Sequence, residues 1–192
     1  MIAVIFTAII LNFGIMEIQR PGYLLREWRA TDCTSLARYA NNINIWRNVR
    51  DRFPHPYTEE DGRFFIGNIV PQSPGYEFAI VIDGEAAGGI GLVRQSDVER
   101  LSAEIGYWIG RPFWGQGLIP EAVRELLRYC FEDKGAQRVW CSHYAGNEKS
   151  KRVIEKCGFS YQLTCERPAL VDDALRPTLF YALTKEKWEK TH

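Results

Sequence analysis

A chain of 192 residues, 46% of them hydrophobic, is sized for one domain that buries its own core without staples. Its charge is balanced, 24 Lys and Arg against 24 Asp and Glu, with no basic run, which argues against nucleic acid or an anionic membrane as an obligate partner. The five cysteines (Cys33, Cys130, Cys141, Cys157 and Cys165) are odd in number and never spaced as CxxC, so neither a disulfide scaffold nor a metal framework is expected, and the protein reads as reduced and cytoplasmic.

Residues 1–15 are almost wholly apolar and carry no charge. A membrane span needs roughly 20 apolar residues, so the run is short for one. No Lys or Arg precedes it, as a secretory signal would require. It reads in three ways: an extension ahead of a true start at Met16, a weak anchor, or an extra element packed on the core.

Residues 23–28 then form a strand candidate. Thr31-Asp32 is a helix-start signal, followed by Leu36, Ala37, Tyr39 and Ala40 on a helical stripe. Residues 46–57 hold His55 between Pro54 and Pro56 and are expected to be loop. Thr58 with Asp61 resembles a capping box, and it opens a second helix whose buried face is Phe64, Phe65 and Ile69. Residues 77–93 read as a hairpin turning at Asp83-Gly84. The returning run carries Gly88, Gly89 and Gly91, which weaken a strand unless something packs close or the strand bulges. It is no dinucleotide fingerprint, because Arg94 stands where a third glycine belongs and no helix pattern follows.

Residues 104–109 read as a strand, and Arg111-Pro112-Phe113-Trp114-Gly115-Gln116-Gly117 as a glycine-bearing loop. A helix is expected from Pro120, with Glu121 near its positive end, an apolar stripe of Val123, Leu126, Leu127, Cys130 and Phe131, and a stop at Gly135. A strand, a glycine loop and a helix start in that order bring backbone N–H groups together for a phosphate. Residues 138–142 alternate as a strand, and 147–156 form a short helix ended at Gly158. The tail holds two more strands, 159–165 and 179–183, joined by a Pro-bearing polar loop. The order β-α-α-β-β-β-α-β-α-β-β is a mixed α/β pattern on one sheet, without the regular alternation of a doubly wound fold.

Three pieces in sequence carry a family likeness: the strand Glu104-Ile105-Gly106-Tyr107-Trp108-Ile109, the loop Trp114-Gly115-Gln116-Gly117 with Glu121-Ala122, and Asn147-x-x-Ser150 ending in Lys156-Cys157-Gly158-Phe159. Together they resemble the GNAT superfamily of N-acetyltransferases, in its RimJ/RimL-like branch, over residues 22–188. The resemblance implies an α+β fold. Its centre is a mixed, mostly antiparallel twisted sheet of six to seven strands with flanking helices, splayed at a bulge beside the central parallel pair. It implies acetyl-CoA as acyl donor, with no metal. The backbone of Tyr107, Trp108 and Ile109 would pair with the pantetheine arm as an added strand. The loop from Trp114 through Gly115, Gln116 and Gly117 to Leu118 and Ile119 would grip the pyrophosphate. One departure stands out: Pro112 occupies a place where the family usually has Arg or Gln, which removes one potential donor.

By the same resemblance Glu104 is the general base, with Glu166 and His55 in reserve, and Ser150 is a hydrogen-bonding partner of the thioester sulfur or leaving thiolate. Asn147 contacts the pantetheine amide or caps its helix. Lys149, Lys151 and Arg152 face the ribose 3′-phosphate. Each residue also has a plainer reading: alternate strand positions are core, Glu104 hydrogen-bonds a neighbouring loop, Ser150 caps a helix, and the basic residues are a solvated helix face. No tyrosine stands between Asn147 and Gly158, where many relatives carry their acid. Residues 46–57 would lie over the acceptor mouth. The implied reaction is direct attack of a primary amine, of a protein N-terminus or a small molecule, on acetyl-CoA in a ternary complex. A homodimer is in keeping with the family, and neither nucleic acid nor a membrane is expected as partner. A non-catalytic acyl-CoA-binding module is the alternative.

Overall fold

The structure is a computed structural model describing residues 17–191; residues 1–15, with all three readings of them, lie outside the described residues. One sheet runs through it. Its strands are β1 (Ile18–Arg20), β2 (Tyr23–Glu27), β3 (Glu77–Ile82), β4 (Glu85–Arg94), β5 (Ser102–Ile109), β6 (Arg138–Tyr144), β7 (Ser160–Val171) and β8 (Ala174–Thr184). Their order across the sheet is β1-β2-β3-β4-β5-β6-β8-β7. Every neighbouring pair is antiparallel except β5 and β6, which run parallel.

Turn chemistry sets the hairpins. Asp83 (φ 50°) and Gly84 (φ 83°) both take positive φ, as a two-residue turn matching strand twist requires. Helices cover both faces. On one lie α1 (Cys33–Ala40), the single turn α2 (Ile43–Trp46) and α3 (Glu59–Phe64). That face buries Trp28, Leu36, Ala37, Ala40 and Tyr57 on Ala79, Val81 and Ala86. The other face carries α4 (Leu118–Arg128), α5 (Glu148–Lys156) and α6 (Lys185–Glu189). There Val123, Leu126, Leu127, Ile154 and Trp188 pack on Phe78, Ile80, Ile90, Leu92, Ile105 and Val139. The Val123, Leu126, Leu127, Cys130 and Phe131 stripe is buried throughout, as its spacing predicts.

The three glycines of β4 each answer to a neighbour. A Cβ at Gly88 would lie 2.6 Å from the Trp108 carbonyl oxygen, and one at Gly89 2.7 Å from the Trp108 indole nitrogen. One at Gly91 would collide with the Glu77 carboxyl. Both expectations for glycine in a strand hold here: neighbours pack close, and β4 bulges at Ala87, where the register against β3 shifts between Ile80–Gly88 and Val81–Ala86.

Several expectations need correction. The box of Thr58 and Asp61 forms, with the Asp61 carboxylate accepting from the Thr58 N–H at 2.8 Å. The helix it opens does not bury the expected face: Phe64 is 59% and Ile69 36% exposed, and Phe65 packs edge-on against Trp28. Beyond α3 the backbone widens into a π-turn over Phe65–Ile69, which rotates these side chains off the α-helical stripe. The helix α4 starts two residues before Pro120. The polar loop in the tail does not exist: β7 and β8 run on as a long hairpin turning at Asp172 (φ 52°) and Asp173 (φ 56°). Short polar sequence hid β1 and α6.

Candidate functional site

The site is built where β5 leaves β6. The two strands pair only at Ser102, Ala103 and Glu104, opposite Arg138, Val139 and Trp140. From Ile105 onward β5 keeps β4 as its one paired neighbour, in a register that runs unbroken from Arg94–Ala103 to Gly88–Ile109. The expected splay is therefore present, without a bulge on the β4 side. Backbone groups alternate in direction along a strand. Gly110 donates to Ala87 at 2.8 Å and Gln95 to Ser102 at 3.0 Å, so even-numbered residues of β5 face β4. The main chain of Ile105, Tyr107 and Ile109 consequently faces the open edge, whereas that of Trp108 faces Gly89. One group on that edge is taken: the Trp114 indole N–H donates to the Ile109 carbonyl at 2.8 Å.

That bond anchors the glycine loop. Gly115 (φ 79°) and Gly117 (φ 82°) both lie in the left-handed region, and Gly117 is the N-cap of α4 with no side chain capping it. Among the described residues no turn or loop hydrogen bond is donated by the N–H groups of Gly115, Gln116 or Gly117. The Gln116 side chain folds back to donate to the Pro112 carbonyl at 3.0 Å. Free amides at the positive end of an 11-residue helix form a cradle fitted to a pyrophosphate. Next to these amides the Ile119 side chain is core, and Leu118 packs half-buried against that core.

Two links join this loop and strand to α5. The Lys149 ammonium sits 3.8 Å from the centre of the Trp114 ring. The Tyr107 hydroxyl lies 3.0 Å from the Ser150 hydroxyl. Asn147 caps α5, its side-chain oxygen accepting from the Ser150 N–H at 3.2 Å. Ser150 thus has its amide occupied by the cap and its hydroxyl turned to Tyr107; it does not cap the helix itself. Burial raises the Tyr107 phenol well above its ordinary range, so it stays protonated. A tyrosine does meet Ser150, then, from β5 rather than from α5. Its periodicity with Ile105 and Ile109 marked it for that face; its partner, 43 residues on, left no trace in spacing.

On the opposite face of β5, Glu104 is ion-paired with Arg50 of the 47–58 loop, its side chain 15% exposed. The loop is folded over this face. Phe53 packs edge-on against Trp108 at 5.6 Å, and Arg47 reaches Asp172 at the tip of the β7–β8 hairpin. The loop thus covers the Glu104 and Trp108 face of β5, with the β7–β8 hairpin tip beside it. The two reserve carboxylate and imidazole candidates are not brought to Glu104. Glu166 is exposed on β7, the edge strand beyond β8, and His55 is exposed and stacks on Trp46 at 5.5 Å. A residue that spacing did not single out, Glu77 at the start of β3, lies on the Glu104 face; its carboxyl is pushed up to about 7 by burial. Lys151 is half-buried and Arg152 exposed on α5.

Comparison with known proteins bears on the same elements. A family model described as an acetyltransferase (GNAT) domain matches residues 23–160. YdaF of Bacillus subtilis (strain 168) is 37% identical over 115 residues, 60% of this chain; the chain spans 62% of that relative's length. The ribosomal protein uS5-alanine N-acetyltransferase of Escherichia coli (strain K12) is 26% identical over 170 residues, 84% of each chain. Among solved structures, Mycobacterium smegmatis RimJ in complex with CoA-disulfide matches with a TM-score of 0.78 at 23% identity, over 91% of this chain and 88% of that one. That last is a likeness of fold.

Proposed function

The chain belongs to the GNAT acetyltransferase family, and from that premise we propose that it moves the acetyl group of acetyl-CoA onto a primary amine by direct attack in a ternary complex. The observation that carries this reading is the continuity of the open edge of β5 with the uncapped N-terminus of α4. A strand-like arm pairs with the first, and a pyrophosphate attached to that arm lands on the second. Acetyl-CoA has this shape and charge.

In the proposed reaction the amine nitrogen bonds to the thioester carbonyl carbon and the C–S bond breaks. Backbone N–H groups of Tyr107 and Ile109, on the open edge, are the donors available to the developing oxyanion. The Ser150 hydroxyl, held by Tyr107, is a hydrogen-bond donor for the departing thiolate: if Tyr107 donates to Ser150, the serine proton is free to turn toward sulfur. Glu104 borders the acceptor side, where Arg50 holds it. Lys149, stacked on Trp114, supports the loop and brings positive charge to the cofactor's phosphates.

The acceptor follows from relatives more than from geometry. The Escherichia coli relative is named for the alanine of a ribosomal protein, so a protein N-terminus is included in the proposal, with small primary amines beside it. The domain taken to do this runs over residues 22–188, with residues 1–15 as an extension. A cytoplasmic location and a homodimer belong to the same proposal. Among the described residues no helix is long and apolar enough to cross a membrane.

Calorimetric titration of CoA into the parent and a Gly117→Val variant tests the reading. A β-branched residue in the left-handed region costs roughly 1–2 kcal/mol or more, so the dissociation constant should rise about tenfold or more. Undiminished affinity, or no CoA binding by the parent, would overturn the assignment of the cradle.

A further inference from the structure

Glu77 has no part in the reaction outlined above, yet the register places it directly opposite Gly91, and Gly91 directly opposite Gly106 on β5. Residues opposed in this way share a face of the sheet. The row Glu77, Gly91, Gly106 therefore lies on the face that also carries Glu104 and Trp108, each two residues from Gly106. Neither glycine raises a side chain. The Glu77 carboxyl lies directly over Gly91, and a Cβ at Gly106 would meet nothing within 4 Å. The result is a gap floored by backbone, with Glu77 at one side and Glu104 at another. Strand spacing puts the Cα atoms of the two glutamates roughly 12 Å apart, room for the head of an alkylammonium between the carboxyls.

The two carboxyls differ in engagement. Glu104 is committed to Arg50. Among the described residues Glu77 makes no hydrogen bond or ion pair, and Arg52, from the same loop, acts on it only through space. Two further basic groups, Arg94 and Lys134, belong to the other face of the sheet, where Tyr76 packs on the α4-side core. Arg94, on β4, and Lys134, after α4, both sit over the Tyr76 ring, at 5.5 and 5.1 Å. Burial raises the Glu77 carboxyl into the range where a group both takes and releases protons near neutral pH.

We propose that Glu77 is the proton acceptor of the amine half-site: the substrate enters as a primary ammonium, seats over Gly106, and gives a proton to Glu77. This rests on the acetyl-transfer reading. An ammonium loses two protons in becoming an amide. The first passes to the Glu77 carboxylate and on to solvent, freeing the nitrogen lone pair to form the C–N bond. The second leaves with the departing thiolate, which becomes the free thiol of CoA. Substrates of this site are cationic primary amines, and Glu104 with Arg50 forms the far wall.

The test is the pH dependence of kcat/KM for acetylation of a panel of primary amines, including a peptide with a free N-terminal alanine, by the parent, Glu77→Gln, Glu104→Gln and Gly106→Ala. For the parent a limb rising through about pH 7 is expected. In Glu77→Gln that limb should vanish and kcat/KM at pH 8 fall about a hundredfold or more, with CoA affinity by calorimetry kept within about twofold as the sign of an intact fold. Glu104→Gln should retain the limb. Gly106→Ala, whose added methyl touches no protein atom, should raise the amine KM several-fold and leave CoA binding alone. An unchanged limb in a Glu77→Gln variant that still binds CoA, or an unchanged amine KM in Gly106→Ala, overturns the proposal and leaves acetyl transfer standing. A parent that binds CoA and acetylates no amine overturns both.

Discussion

A carboxyl half-buried without a partner burdens the fold, and Glu77 carries that burden in a pH-dependent way. Its folded pKa, about 7, stands above the ordinary 4.5, so as pH rises from 4.5 the unfolded chain releases the proton while the folded chain still holds it. Stability therefore falls through the window from 4.5 to 7, and the full cost is present above it. The difference corresponds to at most about 3 kcal/mol. Glu77→Gln should accordingly be more stable than the parent at pH 8, by about 1–3 kcal/mol, with the gain shrinking toward pH 4.5. Urea denaturation at the two pH values measures it, and an equal effect at both would show that the side chain is merely packed. Glu77 reads in sequence as an ordinary strand opening. Its significance comes from Gly91, whose missing side chain leaves room for the carboxyl over it.

At the scale of elements, the entry to α1 rests on a buried pair. Arg26 of β2 donates two hydrogen bonds to Asp32, at 2.7 and 2.9 Å, and Asp32 also accepts from the Arg29 N–H at 2.8 Å. Both side chains are about 6% exposed. Asp32→Ala would strand a buried guanidinium and an uncapped amide together. A loss of about 3–5 kcal/mol in unfolding free energy is expected, readable by chemical denaturation; a loss under about 1 kcal/mol would mean that water reaches Arg26 freely. The helix start at Thr31-Asp32 is legible because Asp32 is a local acceptor: its carboxylate takes the Arg29 N–H ahead of the turn, although it makes no side-chain cap bond to α1 itself. The buried face assigned to Phe64, Phe65 and Ile69 is not legible, because the stripe assumes 3.6 residues per turn and the chain widens at Phe65. The β7–β8 hairpin is longer than the strands expected at 159–165 and 179–183 for a related reason. Asp172-Asp173 has turn chemistry only when both residues take positive φ, and nothing local demands that they do.

For the whole molecule, among the described residues every element that shapes the site lies from Ile18 onward. A chain begun at Met16 is therefore expected to keep the CoA affinity of the full-length protein within about twofold and its melting temperature within about 4 °C, a ΔΔG under about 1 kcal/mol. A greater loss, measured side by side, would make residues 1–15 part of the folded domain. The sequence by itself determined the chemistry-bearing segments: the strand with Glu104, the glycine loop ahead of α4, and the Asn147–Ser150 helix start. Each is encoded by capping, periodicity and glycine placement within a dozen or so residues, and these are short-range effects. Tertiary structure alone decided what those segments face. The parallel pairing of β5 and β6 stops after Glu104 and opens the edge. Tyr107 meets Ser150, Arg50 occupies Glu104, and Glu77 lies over Gly91. Those partners stand 14 to 54 residues apart in the chain, and contacts at that distance are set by the register of the sheet and the packing of its two faces, which no local pattern records. The glycine loop is thus legible as the start of α4, whereas the floor of glycines beside Glu77 exists only in the assembled sheet.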